Sequence, residues 1–181
     1  MLQNDRYIGG GTLWFTPVGG TEYEIGEVQS AEIEISTETK DAMNKDQVIS
    51  KKVAKVVTSI TASLKFETQI TNATNTAMFM LGTETTEDFT TGDTLPDGTT
   101  ATADVSIPVI TAGTNPLVEG SFKFVGDEDG DTKPVLVVPS AVVTPSGSVG
   151  YIVDDFTKLS FSGEVLETAG VFYKEYRMTV A

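Results

Sequence analysis

The densest cluster of possible ligands is Asp127-Glu128-Asp129-Gly130-Asp131. Clustered carboxylates suit hard cations such as calcium. The spacing departs from the calcium-loop pattern, in which the glycine follows a third acidic ligand and a distant glutamate closes the site. Lying between two strand-like runs, the cluster reads as a solvated hairpin turn, and no metal is expected. Asp154-Asp155 is a second candidate, as a carboxylate pair for acid–base chemistry. Adjacent residues on an extended chain point to opposite faces, so a turn is the better reading. Gly9-Gly10-Gly11 does not continue as GxGxxG and has no strand-to-helix context, which argues against a phosphate cradle. Asn72-Ala73-Thr74 matches a glycosylation sequon but falls at an expected helix start. Trp14 fits a core or interface anchor.

The chain contains no His and no Cys. That removes the usual general base near neutral pH, thiolate nucleophiles, disulfides and the commonest metal ligands. An enzyme would have to rely on carboxylates, Lys or Tyr, and none of the motifs gathers them into a reaction centre. Neither catalysis nor a cofactor is expected. The formal charge is −14, from 12 basic and 26 acidic residues, which should repel phosphate backbones on average. No Lys or Arg occurs from Phe66 through Phe122, while Lys40, Lys45, Lys51, Lys52 and Lys55 crowd one stretch. This asymmetry fits either a solvated acidic surface or opposite patches that bring identical subunits together. At 181 residues the chain suits one domain, 1–181, with a real core. No apolar run is long enough to span a bilayer as a helix. The start, MLQNDRYIGGG, lacks the basic and apolar regions of a secretory signal, so cytoplasmic synthesis is expected.

The elements that must carry these residues alternate with a period of two, the mark of half-buried strands. Residues 7–15 are expected as a first strand, Val18-Gly19-Gly20-Thr21 as a turn and 22–25 as a short strand. Residues 28–37 alternate Ala31, Ile33 and Ile35 with Ser30, Glu32, Glu34 and Ser36. A polar segment, 38–50, is expected as an extended loop. Beyond it, a strand over 51–70 alternates Ile60, Ala62, Leu64 and Phe66 with Ser59, Thr61, Ser63, Lys65 and Glu67. These two strands make a long antiparallel hairpin, with Ile33, Ile35, Ile60, Leu64 and Phe66 expected on one buried face.

Thr71 and Asn72 can cap a short amphipathic helix in which Ala73, Ala77, Met80 and Leu81 recur, ending at Gly82. Residues 83–103 are Thr-rich, acidic and punctuated by Gly92 and Pro96-Asp97-Gly98, a surface excursion partly paired as a hairpin. Strands are expected over 105–111, 117–125 and 133–143, the last broken at Pro139 by an edge position or a bulge. Residues 156–167 and 171–180 are expected to pair around Thr168-Ala169-Gly170. The result is a mainly β fold: two packed antiparallel sheets, sandwich or barrel, with one flanking helix and a long hairpin. A hairpin this long leaves unpaired edges, which proteins either blunt or use for assembly.

Residues 120–131 (GSFKFVGDEDGD) and the segment from Lys133 onward resemble the C-terminal half of major tail tube proteins of long-tailed bacteriophages. Val138-Pro139-Ser140, Thr144-Pro145-Ser146-Gly147, Asp154-Asp155-Phe156 and Phe161-Ser162-Gly163-Glu164-Val165-Leu166 stand in that family's order. The N-terminal half agrees, with a Gly-rich first strand, then Ile25-Gly26-Glu27-Val28, Ala31 to Ile35, the loop and the long strand. The likeness covers most of the chain and is weakest over 83–103.

The resemblance implies a structural virion protein, assembled in the bacterial host cytoplasm as hexameric rings stacked into a hollow tube. The hairpins of neighbouring subunits would join into a shared inner barrel that double-stranded DNA crosses without binding. Alternation would then put Glu32, Glu34, Ser59, Thr61, Ser63, Lys65 and Glu67 on the bore. The 38–50 loop, with Lys40 and Lys45, and the following Lys51 and Lys52 would reach an adjacent ring. Implied partners are further copies, a tape-measure protein and other tail proteins, with no membrane. Two other readings are compatible with the residues. One is another tail component on the same fold: a distal tail, baseplate-hub, contractile-tail or secretion-system tube protein. The other is a surface β-sandwich that binds a receptor or glycan.

Overall fold

The computed structural model describes residues 9–44, 51–128 and 132–179. The chain is mainly β, with two antiparallel sheets and one short helix. The strands are β1 (Gly11–Pro17), β2 (Tyr23–Glu24), β3 (Val28–Asn44), β4 (Lys51–Thr68), β5 (Thr83–Phe89), β6 (Val105–Thr111), β7 (Val118–Gly126), β8 (Thr132–Pro145), β9 (Leu159–Val165) and β10 (Lys174–Thr179). The helix is α1 (Ala73–Phe79). The larger sheet has the order β2-β1-β7-β8-β9-β4-β3, with β10 added to β8, and β5 pairs with β6 in the smaller one.

The larger sheet curls on itself. β7 and β4 are three steps apart in strand order, about 14 Å in a flat sheet. Yet Phe122 of β7 and Phe66 of β4 bring their ring centroids to 5.5 Å. The curl gathers the inward-facing alternate residues of β1, β4, β7, β8 and β9 into one core, including Leu13, Phe15, Leu64, Val138 and Val165. Phe161 sits at its centre, stacked on Phe66 at 4.7 Å and edge-on to Phe79 of α1 at 5.6 Å. Phe161→Ala removes both ring contacts and should cost about 3–5 kcal/mol of stability, read by urea unfolding. An unchanged midpoint would displace this residue from the core.

Helix α1 closes one side of the curl. Asn72 caps it by accepting the Asn75 N–H at 2.8 Å, and Asn75 itself donates to Ile25 O at 2.8 Å and Ile70 O at 3.0 Å. Of the expected stripe Ala73, Ala77, Met80 and Leu81, Ala77 is buried and Met80 and Leu81 pack partly buried against the core, while Asn75, Met78 and Phe79 complete the buried side. Leu81, at φ 48°, rather than Gly82 takes the left-handed turn after the helix. Gly82 is required for a different reason: a Cβ there would collide with the Thr111 carbonyl of β6.

Several boundaries differ from expectation. Residues 7 and 8 lie outside the described residues, and the first strand runs through Pro17. Residues 83–103 do not fold back on themselves alone. Thr83–Phe89 pairs along its length with Val105–Thr111, and the tip folds back through the Thr94↔Thr100 bridge and backbone hydrogen bonds from Gly92 N–H to Ala101 O, Ala101 N–H to Asp93 O and Leu95 N–H to Thr99 O. Asp93 and Asp97 lock that tip: hydrogen bonds from Thr90 and from Thr99 hold their carboxyls below the ordinary value of 3.8. The C-terminal strands do not form a hairpin with each other; β10 pairs with β8, and only Thr168↔Val171 bridges the turn.

Pro139 explains that exchange. One side of β8 is covered by β10 over Thr132–Val137 and by β9 over Ala141–Pro145. Pro139 lies between the two partners, where a residue without an N–H costs no ladder bond. The β7–β8 register shifts at the same place, between Gly120↔Ala141 and Phe122↔Val138, which is the bulge expected from the proline.

Candidate functional site

The β3–β4 hairpin extends beyond the core of the larger sheet. β4 pairs with β9 only from Ala62↔Val165 to Thr68↔Leu159. From Thr61 back to Lys51 it pairs with β3 alone. At about 3.4 Å per residue this free ribbon reaches roughly 35 Å beyond the body. Strand pairing continues to Asn44, so the expected loop over 38–50 is paired strand on the β3 side. Lys40 sits opposite Val56, and Lys51 and Lys52 lie on β4 opposite Asn44 and Met43. Lys52 forms an ion pair with Asp41 at 2.6 Å within the same hairpin. Lys45 lies outside the described residues.

The register brings all seven expected bore residues onto one face. Ser30↔Glu67, Glu32↔Lys65, Glu34↔Ser63, Ser36↔Thr61 and Glu38↔Ser59 are cross-strand neighbours, which share a side of the sheet. The polar face continues over β9, where Ser160, Ser162 and Glu164 stand opposite Glu67, Lys65 and Ser63. Ser160 Oγ donates to Glu67 Oε2 at 3.0 Å, and Lys158 Nζ lies 3.2 Å from Glu67 Oε1. A shallow groove follows this face between Thr61, Ser63, Val142, Thr144, Ser162 and Glu164. The β9 residues were not singled out from the sequence. The signal was present, because Ser160, Ser162 and Glu164 alternate with Leu159, Phe161 and Val165.

The other face is buried only at its base. Ala62, Leu64 and Phe66 are within 3% of full burial, whereas Ile35, Val57 and Ile60 are 50%, 54% and 52% exposed. The expectation that Ile35 and Ile60 belong to the buried face is therefore corrected: both are left half exposed by the described chain. A bulge at Thr58, between Glu38↔Ser59 and Thr39↔Val57, shifts Val57 onto the side of Ile60. Without it, alternation would put Val57 on the polar face. Covering these half-bare side chains would contribute roughly 1 kcal/mol each.

Both edges of the ribbon are open among the described residues. Hydrogen-bonded pairs alternate along an antiparallel ladder, so a few bonds fix the direction of the rest. Gln69 N–H donates to Glu27 O at 3.3 Å, and Ser146 N–H donates to Ser160 O at 2.8 Å. The first turns odd residues of β4 toward β3; the second turns even residues of β9 toward β8, leaving even residues of β4 facing β9. Past the end of β9, the N–H and C=O of Ile60 therefore emerge on an open edge. On the opposite edge, β3 ends the strand order along its whole length.

Of the remaining sequence candidates, Asp154 and Asp155 lie in an exposed loop, and Asp129 to Asp131 lie outside the described residues. Among the described residues no group of three or more His, Cys, Asp or Glu side chains is placed to hold a metal ion, and no helix is long and apolar enough to cross a membrane. The chain matches no protein-family model and no curated protein.

Proposed function

We propose that the chain is the repeating subunit of a tail tube of the long-tailed bacteriophage type. It closes into hexameric rings through its hairpin, and the rings stack into a conduit for double-stranded DNA. The observation that carries this reading is the ribbon itself, which combines two open edges, a face that is polar from Ser30↔Glu67 to Glu38↔Ser59, and an opposite face whose Ile35, Val57 and Ile60 are half exposed. The β3 edge of one copy can pair with the distal β4 edge of the next. Repetition around an axis then removes both edges of the ribbon, as barrels do. The order of the tail-tube motifs in the sequence supports the same reading.

In such a ring the polar face turns toward the bore. Glu32, Glu34, Ser59, Thr61, Ser63, Lys65 and Glu67 would line it, with Ser160, Ser162 and Glu164 beside them. A wall of carboxylates and hydroxyls offers DNA few phosphate contacts that release counterions, so the duplex slides without sticking. The function involves no catalytic step, cofactor or metal. Its partners are further copies, a tape-measure protein and other tail proteins, and its location is the virion.

Light scattering after size exclusion at rising concentration, paired with negative-stain electron microscopy, tests the reading. Masses at multiples of the subunit and hollow tubes are expected. A strictly monomeric protein, alone and with nucleating tail tips, would overturn it.

A further inference from the structure

The loop between β8 and β9 carries a cluster of highly exposed large apolar side chains: Tyr151 at 74%, Ile152 at 99% and Phe156 at 76%. The loop is pinned at its neck, where Thr157 Oγ1 donates to Gly150 O at 2.8 Å. Val153 folds against Gly150 so closely that a Cβ there would collide with it. The remaining side chains are thus turned outward by a closed loop. A bare apolar cluster of this kind marks an interaction surface. Asp154 and Asp155 lie within it, and residues 146–157 contain no basic side chain.

Topology limits what can reach this knob. β9 leaves the loop at Leu159, opposite Thr68, while the free ribbon begins beyond Ala62, opposite Val165. Knob and ribbon therefore sit at opposite ends of the same strand pair and cannot meet within one chain. They can meet between two copies displaced along the strand direction. A head-to-tail contact with a displacement along the strand direction does not close into a ring and repeats along an axis.

The chemistry of the two ends is complementary. The ribbon arms, 35–44 and 51–61, hold Lys40, Lys51, Lys52 and Lys55 against Glu38 and Asp41, a basic island in a chain of charge −14. The ribbon also bears the half-exposed Ile35, Val57 and Ile60. We propose that the 151–156 loop of one copy docks on the aliphatic face of the next copy's hairpin. Ile152 and Phe156 cover Val57 and Ile60, and Asp154 and Asp155 face Lys52 and Lys55, the two lysines on that side of the ribbon. This rests on the reading of the chain as a self-assembling subunit and supplies the axial joint between successive rings.

With no native Cys, the chain reports such a contact cleanly. The double variant Val57→Cys with Ile152→Cys, treated with a short bis-maleimide, should give a ladder of covalent oligomers in a denaturing gel. Each single variant should stop at dimers. Tubes without a ladder would overturn the joint and leave the ring reading standing. A ladder without rings or tubes in the microscope would uphold the joint and overturn the ring reading. Neither ladder nor tubes would overturn both. Ile152→Asp is an independent check, because a solvent-exposed side chain is not needed for folding. The variant should keep its circular dichroism and yield single rings, whereas tubes of normal length would contradict the proposal.

Discussion

Ile60→Pro should block the proposed ring closure and leave the subunit folded. The Ile60 N–H emerges on the open β4 edge, so proline would delete a donor from the proposed inter-subunit ladder and set its ring against the incoming strand. The side chain is half exposed in the single chain, so its loss costs the core little. Losing one hydrogen bond of about 1 kcal/mol at every interface, together with the steric block, should raise the concentration needed for assembly by about tenfold or more. Light scattering on the variant reads the effect directly. Thr61→Pro is the matched comparison, because the Thr61 N–H turns inward to β3. It should damage the hairpin itself and lower stability. Normal tubes from Ile60→Pro would remove this edge from the interface.

Reversing charge on the polar face should turn an inert bore into a DNA-binding one. Glu34 stands opposite Ser63, and Glu32 opposite Lys65, on the face shared with Glu67 and Glu164. Glu32→Lys with Glu34→Lys replaces carboxylates by cations in every copy of the ring while leaving the backbone ladder intact. Wild-type tubes should retain no duplex. The variant should bind it with an affinity that falls about 10³-fold or more between 50 and 200 mM salt, the signature of several phosphate contacts. Binding by the variant that does not respond to salt, or no binding by assembled tubes, would place these side chains away from the DNA path.

The faces of the hairpin were legible in the sequence because a strand's period of two is local. Ser59, Thr61, Ser63, Lys65 and Glu67 could only share a side. Alternation says which side a residue faces but not whether anything covers it. Ile35 and Ile60 therefore looked like core and are half exposed in the single chain. Residues 38–44 were unreadable as strand for a related reason. A free ribbon with no buried face imposes no alternation, so ETKDAMN carries none. The bulge at Thr58 has no Gly or Pro to announce it, whereas Pro139 signalled its bulge through a missing donor. The pairing of β10 with β8 instead of β9 was hidden because neighbouring strands in sequence usually pair. It depends on the length of β8, whose covered side is divided between two partners at Pro139.

The most direct measurement is a cryo-electron microscopy reconstruction of the assembled protein at side-chain resolution. A closed inner barrel, with Glu32, Glu34, Ser63 and Lys65 pointing into a central hole and Ile35 and Ile60 covered by protein, is the expected result. An assembly in which the polar face of this hairpin meets solvent on the outer wall would contradict it.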